Sequence, residues 1–228
     1  MTTTRAVRDD IQNTLDFLVA AELALYANTV TVNRNRVSWQ SHNPSVPFLS
    51  SREHPDIEQY VTWVTAGAYS ASLFDGSLLQ LTYDIDDGEV SGHRLAYVPC
   101  PYDLDRALLT EGMPLADVVD LCRDKDAAMR SPIRFDYDPQ AAKDDHPAAH
   151  LTLNTADCRI ECAAPLHVLR FVDFVFRHFY PKLWRAHRPF FTAAAWRHVE
   201  VQRTGLRDRH AIHLMWDVNA TRSTVGGE

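Results

Sequence analysis

Cysteine is scarce in this chain: Cys100, Cys122, Cys158 and Cys162 are the only four in 228 residues, too few to staple a small secreted module by disulfides. No apolar run approaches the roughly 20 residues that a membrane-spanning helix needs. The most apolar stretch, Leu166 to Phe179, is interrupted by Arg170, Asp173, Arg177 and His178, so no membrane association is expected. The N-terminus lacks an apolar segment followed by a small-residue cleavage site, which with reduced thiols predicts a cytoplasmic protein. Glycine-rich phosphate loops, a Gly-x-Ser-x-Gly elbow and a dinucleotide-binding fingerprint are also missing. Their absence argues against a nucleotide-driven motor, an α/β hydrolase and a dehydrogenase. Basic charge is in the minority, with 23 Lys plus Arg against 30 Asp plus Glu and a net charge of −7. Binding of nucleic acid over the whole surface is therefore unfavourable, and any polyanion site must be local.

What is present is an ordinary globular composition, 46% hydrophobic and 23% charged, enough to bury a full-sized core. Internal repeats, low-complexity blocks and linkers are missing, which predicts a single α+β domain over residues 1–228. Ile11, Leu15, Leu18, Val19, Leu23 and Tyr26 recur at helical spacing after the hydroxyl caps Thr2 to Thr4, predicting an amphipathic helix over 5–27. Thr29 to Gln40 alternates around Asn33-Arg34-Asn35 and reads as a hairpin, and a second helix runs from Pro55 to about Ala66. Asp75-Gly76 and Asp86-Asp87-Gly88 then separate three strands within 69–98. Turns this tight join only antiparallel neighbours, so these strands form a meander.

Leu104 to Met129 reads as largely helical with a restart at Pro114, and three short strands follow within 133–162. A strongly apolar helix is expected over 165–184, with Phe171, Val175 and Phe179 fully buried against the apolar face of the sheet. A C-terminal hairpin is expected over 199–218. The resulting architecture is a largely antiparallel, meander-based sheet covered on one face by helices.

Five stretches taken in order carry a family likeness: Tyr69 to Tyr83 (YSASLFDGSLLQLTY), His93 to Pro101 (HRLAYVPCP), Pro132 to Pro139 (PIRFDYDP), His146 to Asn154 (HPAAHLTLN), and Arg159 with Phe171 to Pro181 (FVDFVFRHFYP). Their combination resembles the prokaryotic family called domain of unknown function 2290. The resemblance implies a prokaryotic cytoplasmic protein of a kind often encoded among mobile or defence-related genes, and a protein partner encoded nearby is a separate expectation. It carries no catalytic assignment. At Cys158-Arg159-Ile160 the chain resembles a family position that more often reads Arg-Ile-Pro; Glu161 replaces the proline, so the sequence sets no firm end to that strand.

The strand pattern concentrates ionisable side chains. A period of two puts Arg134, Asp136 and Asp138 on one face, with His150 and Thr152 and then Arg159 and Glu161 on the same face of the neighbouring strands if Leu151, Leu153 and Ile160 line the core. A solvated face laced with ion pairs is one reading of this set. The other is a site for metal-independent phosphodiester cleavage, with His93, Arg134, Asp136, His146, His150 and Arg159 as candidate catalytic residues. Two imidazoles would serve as base and acid, and a guanidinium would balance phosphorane-like charge. In that reading His150 stands on the polar face, where its loss is cheap to stability.

No cofactor is required by this scheme. A divalent metal on Asp136, Asp138, His146 and His150 is the alternative, although the spacing matches no zinc signature. Cys158 and Cys162 share a face with Ile160 and are expected near the core. After Pro181 the chain turns basic, and Arg185, Arg188, Trp196 and Arg197 form a candidate nucleic-acid-binding group of cations and stacking rings. Two functions follow. One is a defence- or toxin-type nuclease or nucleotide hydrolase acting on RNA or a nucleotide; the other is a non-catalytic partner-binding or sensor subunit of a defence or toxin–antitoxin complex.

Overall fold

A computed structural model describes residues 2–40, 49, 56–153 and 157–192. Helix α1 (Thr4–Ala20) starts where the Thr3 side chain accepts the Ala6 N–H, and it buries Val7, Ile11, Leu15 and Leu18 at helical spacing. It ends seven residues earlier than the predicted boundary at residue 27, because Glu22 takes a positive φ of 57°. The chain then enters strand β1 (Ala24–Ala27). Leu23 and Tyr26 fit a helical period, yet pairing with a distant strand wins over it, and Tyr26 is left half exposed.

The predicted hairpin forms as β2 (Val30–Asn33) and β3 (Arg36–Trp39). Helix α2 (Ile57–Ala66) is capped by the Asp56 carboxylate at one end and by left-handed Gly67 at the other. The meander follows as β4 (Ala71–Leu73), β5 (Leu78–Asp86) and β6 (Glu89–Val98). Gly76 in its first turn has φ +83°, and a Cβ there would meet Leu104 Cδ1 at 2.6 Å, so both conformation and space require glycine.

The expected long helix over 104–129 is only α3 (Arg106–Thr110) and α4 (Leu115–Asp120). Gly112, at φ +89°, separates them, and the polar run Asp124-Lys125-Asp126 offers no apolar face to extend the second. Strands β7 (Ile133–Tyr137), β8 (Ala149–Leu153) and β9 (Arg159–Glu161) form as expected, followed by α5 (Val168–Phe179), α6 (Pro181–Ala186) and α7 (Arg188–Phe191).

The nine strands of the described residues join one largely antiparallel open sheet of order β1-β4-β5-β6-β7-β8-β9, with β3 pairing β5 beyond the end of β4 and β2 outside β3. One face, made by Leu79, Leu81, Leu95, Tyr97, Phe135 and Leu151, packs against α1 and α5 through residues such as Leu15, Phe171, Val172 and Val175. Phe171 and Val175 are fully buried there, but Phe179 is 40% exposed, contrary to the expectation for that position. The helix stops at Phe179 because Tyr180 (φ −131°, ψ 54°) precedes a proline, where the helical region is disfavoured.

Helices cover the other face as well, over β5 and β6: Leu78, Ala96 and Val98 meet Tyr60 and Trp63 of α2 and Val118 of α4. Beyond β6 that second face changes character and becomes polar. Among the described residues no helix is long and apolar enough to cross a membrane. The hairpin expected at 199–218 lies outside the described residues.

Candidate functional site

Strand register builds the polar part of the second face. Arg94, Asp136, His150 and Glu161 fall in one row across β6, β7, β8 and β9, and Ala96, Arg134, Thr152 and Arg159 in the next. The alternation that puts Phe135 and Leu151 into the core makes their neighbours face the other way. This is not a solvated face, because Arg134 is only 3% exposed, Asp136 6%, His150 1% and Thr152 8%.

Asp136 is the hub. Its Oδ1 accepts from Arg94 Nε at 3.1 Å and its Oδ2 from Arg134 Nε at 2.5 Å, while His150 Nε2 lies 3.5 Å from Oδ2. Burial works against the charged form. The hydrogen bond with His150 and the charges of Arg134 and Arg94 outweigh it, and the carboxyl is held well below the usual carboxylate range. Burial likewise lowers the Arg134 guanidinium, with Asp136 offsetting part of that effect. The second arm of Arg134 donates from Nη1 to the Leu49 carbonyl at 3.2 Å, and Leu49 N–H in turn donates to Gln80 Oε1 at 3.1 Å.

His150 Nδ1 lies 2.8 Å from the Pro147 carbonyl oxygen. A carbonyl only accepts, so Nδ1 carries a proton and Nε2 is the nitrogen turned to Asp136. The His146 ring meets His150 edge-on at 4.8 Å between centroids. Burial, helped by His150 and Arg159, lowers the pKa of His146, which favours its neutral form. Two polar atoms in the second row have no partner among the described residues, Thr152 Oγ1 and Arg159 Nε, and both are buried. They belong to residues directly opposite one another in the β8–β9 ladder. Among the described residues the Arg159 guanidinium has a 3.8 Å approach of Nη1 to Asp157, which is almost wholly exposed.

The structure thus brings together Arg134, Asp136, His146, His150 and Arg159, and leaves out His93. That side chain points to the opposite face of β6, where Nε2 accepts the Leu166 N–H at 2.8 Å and the ring sits near Tyr83 and Tyr137. Burial takes its pKa down to about 4. Its neighbour Arg94 is the residue that joins the site, and strand parity carried the signal: Leu95 and Tyr97 are the natural inward residues, so His93 goes with them and Arg94 does not.

Asp138 turns into its own loop and accepts the N–H groups of Gln140 and Ala141. Among the described residues no three of His, Cys, Asp and Glu are grouped to hold a metal, and Asp136 is already committed to two guanidiniums.

Of the basic group after Pro181, Arg185 and Arg188 are exposed on α6 and α7, on the opposite side of the sheet from the polar rows. Guanidiniums of Arg177 and Arg188 lie over the Trp184 ring at 4.7 and 5.9 Å. Trp196 and Arg197 lie outside the described residues. Cys162 is buried as expected, but Cys158 is exposed. Burial raises the Cys100 thiol to about 11 and the Cys162 thiol to about 12, so neither offers a thiolate near neutral pH.

Sequence reasoning also missed a hydroxyl network at the β4–β5 turn. There Tyr180 donates to Asp75 Oδ2 at 2.8 Å, and its oxygen lies 2.9 Å from that of Tyr97 and 3.2 Å from Ser77 Oγ. Asp75 reads only as a turn residue in the sequence, and nothing there signals that Tyr180 returns to it.

Fold and site together define an α+β protein whose antiparallel sheet carries a buried, guanidinium-rich polar face. A family model described as uncharacterized conserved protein (DUF2290) matches residues 22–216 of the 228, and the chain belongs to that family. No curated protein and no solved structure matches it.

Proposed function

We propose that the protein recognises a phosphate-bearing ligand, a nucleotide or RNA, through the rows on β6 to β9. The observation that carries this reading is the facing pair Thr152 and Arg159, whose buried Oγ1 and Nε have no partner among the described residues and lie beside the buried Arg134. An unmet buried donor costs about 1–3 kcal/mol, and an oxyanion seated against the pair would accept from Thr152 Oγ1–H and Arg159 Nε–H together while meeting the Arg134 charge.

Binding is favoured over hydrolysis as the primary role because Asp136 is spent. A carboxylate shared by two guanidiniums and held well below its usual range is a poor proton acceptor near neutral pH, and it acts instead as a strut that aims Arg94, Arg134 and His150. In a defence or toxin–antitoxin assembly such a protein would be the ligand-sensing or partner-binding subunit.

Titration calorimetry with inorganic pyrophosphate at low salt tests the reading. The wild-type chain should bind with an affinity that falls as salt rises, and Arg159→Ala should weaken binding at least tenfold. Absence of binding to the folded wild-type chain would overturn the proposal.

The hydrolase reading rests on a separate observation, the contact of half-buried His146 with His150. A neutral His146 beside an anion-binding row can take a proton from an attacking water or hydroxyl. That reading predicts cleavage of a phosphodiester or phosphoanhydride that His146→Ala abolishes.

A further inference from the structure

We infer that the basic surface made by the end of α5 with α6 and α7 docks single-stranded nucleic acid with little sequence preference. The inference is independent of the phosphate-recognition reading, because this surface lies on the opposite side of the sheet from the polar rows.

Charge is the first observation. Residues 174–192 carry four Lys and Arg and no Asp or Glu, in a chain whose net charge is −7. All four, Arg177, Lys182, Arg185 and Arg188, are exposed. Elsewhere on the surface Arg36 and Arg123 are neutralised by Asp84 and Asp120 at 2.8 and 2.9 Å. Here Arg177 is met by Asp173 at 3.3 Å, but among the described residues no carboxylate lies within ion-pair distance of Lys182, Arg185 or Arg188. Three neighbouring cations are left uncompensated in an acidic protein, and their complement is a polyanion.

Order is the second. Trp184 Nε1 donates to Asp173 Oδ1 at 2.7 Å, which fixes the indole. The guanidiniums of Arg177 and Arg188 lie over that ring, so one side chain gathers charge from two helices. Lys182 and Arg185 stand three residues apart on α6, about 5–6 Å between Cβ atoms. The platform beneath is anchored, since Phe190 of α7 stacks on Phe17 of α1 with 3.5 Å between centroids and Phe191 is buried. Side chains ordered in this way lose less freedom when a phosphate arrives.

The kind of polyanion follows from the contacts on offer. An acidic protein segment takes most of its binding energy from apolar anchors seated in desolvated pockets, whereas these cations are exposed and α6 buries none of its residues. A nucleic-acid strand is held by exposed cations that meet its phosphates and by flat groups on which its bases stack, and guanidinium planes serve for stacking as well as rings do. Arg185 and Arg188 supply both kinds of contact.

Fluorescence anisotropy of a labelled oligouridine dodecamer titrated with the full chain tests this. Binding is expected at about 50 mM salt, with log affinity falling against log salt at a slope of about −2, the value for three phosphates neutralised on a single strand. Arg185→Ala combined with Arg188→Ala should weaken binding at least tenfold and flatten that slope by roughly 1.4, with the melting temperature unchanged because both side chains are exposed. If that double variant does not fold, Lys182→Ala combined with Arg185→Ala, which leaves the contact of Arg188 with Trp184 in place, should give the same loss.

Arg159→Ala, on the other side of the sheet, should bind the dodecamer as wild type does. Binding lost in Arg159→Ala and kept in the α6–α7 variants would overturn this inference and leave phosphate recognition by the polar rows standing. No binding by the folded wild-type chain would overturn it as well. Displacement of the dodecamer by polyglutamate as effectively as by unlabelled oligouridine of equal charge would also overturn it, and would assign the surface to an acidic protein instead.

Discussion

At the scale of single residues, Thr152 separates stability from function. Its hydroxyl is buried with no partner among the described residues, so valine, which has the same shape without the oxygen, removes a desolvation penalty. Thr152→Val should stabilise the free protein by about 1–2 kcal/mol in urea denaturation, and a loss of stability would show that Oγ1 is already satisfied. The two histidines differ in how firmly they are held. His150 stands on the polar face as expected, yet it is 1% exposed and bonded to the Pro147 carbonyl. His150→Ala should therefore cost about 1–3 kcal/mol. His146 is half-buried and, among the described residues, its side chain is held by its ring contact with His150 alone, so His146→Ala should stay within about 0.5 kcal/mol of wild type. That makes His146 the cleaner probe of chemistry. If the face hydrolyses its ligand, this variant should lose about 10²–10⁴-fold in rate with its melting temperature nearly intact.

At the scale of elements, α5 shows how a helix can be central to the core without being buried along its whole length. Phe171 packs edge-on against Phe135 and is fully buried, whereas Phe179 lies beyond the last buried turn and rests on Tyr97 with 4.7 Å between centroids. Phe171→Ala should cost about 3–5 kcal/mol through its cavity. Phe179→Ala should cost only about 1 kcal/mol, the worth of an aromatic contact at a partly exposed site. Equal costs in chemical denaturation would contradict the packing.

Apolar spacing continues to residue 184, but Pro181 breaks the helix and starts a new one. What holds the chain beyond the break is tertiary: the Tyr180 phenol, its pKa pushed up by burial and by Asp75, stays protonated and donates to the Asp75 carboxylate across the end of the sheet. The β7 to β9 elements were legible for a different reason. Strand parity is a local property, so the residues that share the polar face could be read off before their pairing was known, whereas burial of that face could not.

At the scale of the whole molecule, the meander was readable because Asp-Gly turns act locally and force antiparallel neighbours, while β1 and the second helical layer depend on partners far away in the chain. Nothing near Leu23 or Tyr26 announces pairing with Ala71–Leu73, and Tyr60 and Trp63 fit a helix equally well on either face of the sheet. His93 differs from these: the alternation that sends Leu95 and Tyr97 inward puts it on the same face by parity alone, and the sheet buries it there against the Leu166 N–H.

That burial also fixes how the fold responds to acid. His93 is neutral in the native state with a pKa of about 4, against about 6.5 in an unfolded chain. Between these values the unfolded state binds a proton that the native state does not, so stability is complete above about pH 6.5 and falls as pH drops toward 4, by about 2–4 kcal/mol in all. Asp136 acts in a lower window. Its native pKa is depressed, so its contribution is present above the ordinary carboxylate pKa of about 4 and is lost only as pH falls through the lower native value. Acid unfolding should therefore begin with His93 and finish with Asp136. Urea denaturation at pH 7, 5.5 and 4.5 reads the first limb directly. In His93→Gln, whose amide oxygen can still accept the Leu166 N–H, the loss of stability between pH 7 and 4.5 should shrink by about 2 kcal/mol or more. An identical slope in the variant would mean that the native state protonates His93 as readily as the unfolded chain does, which burial beneath α5 does not allow.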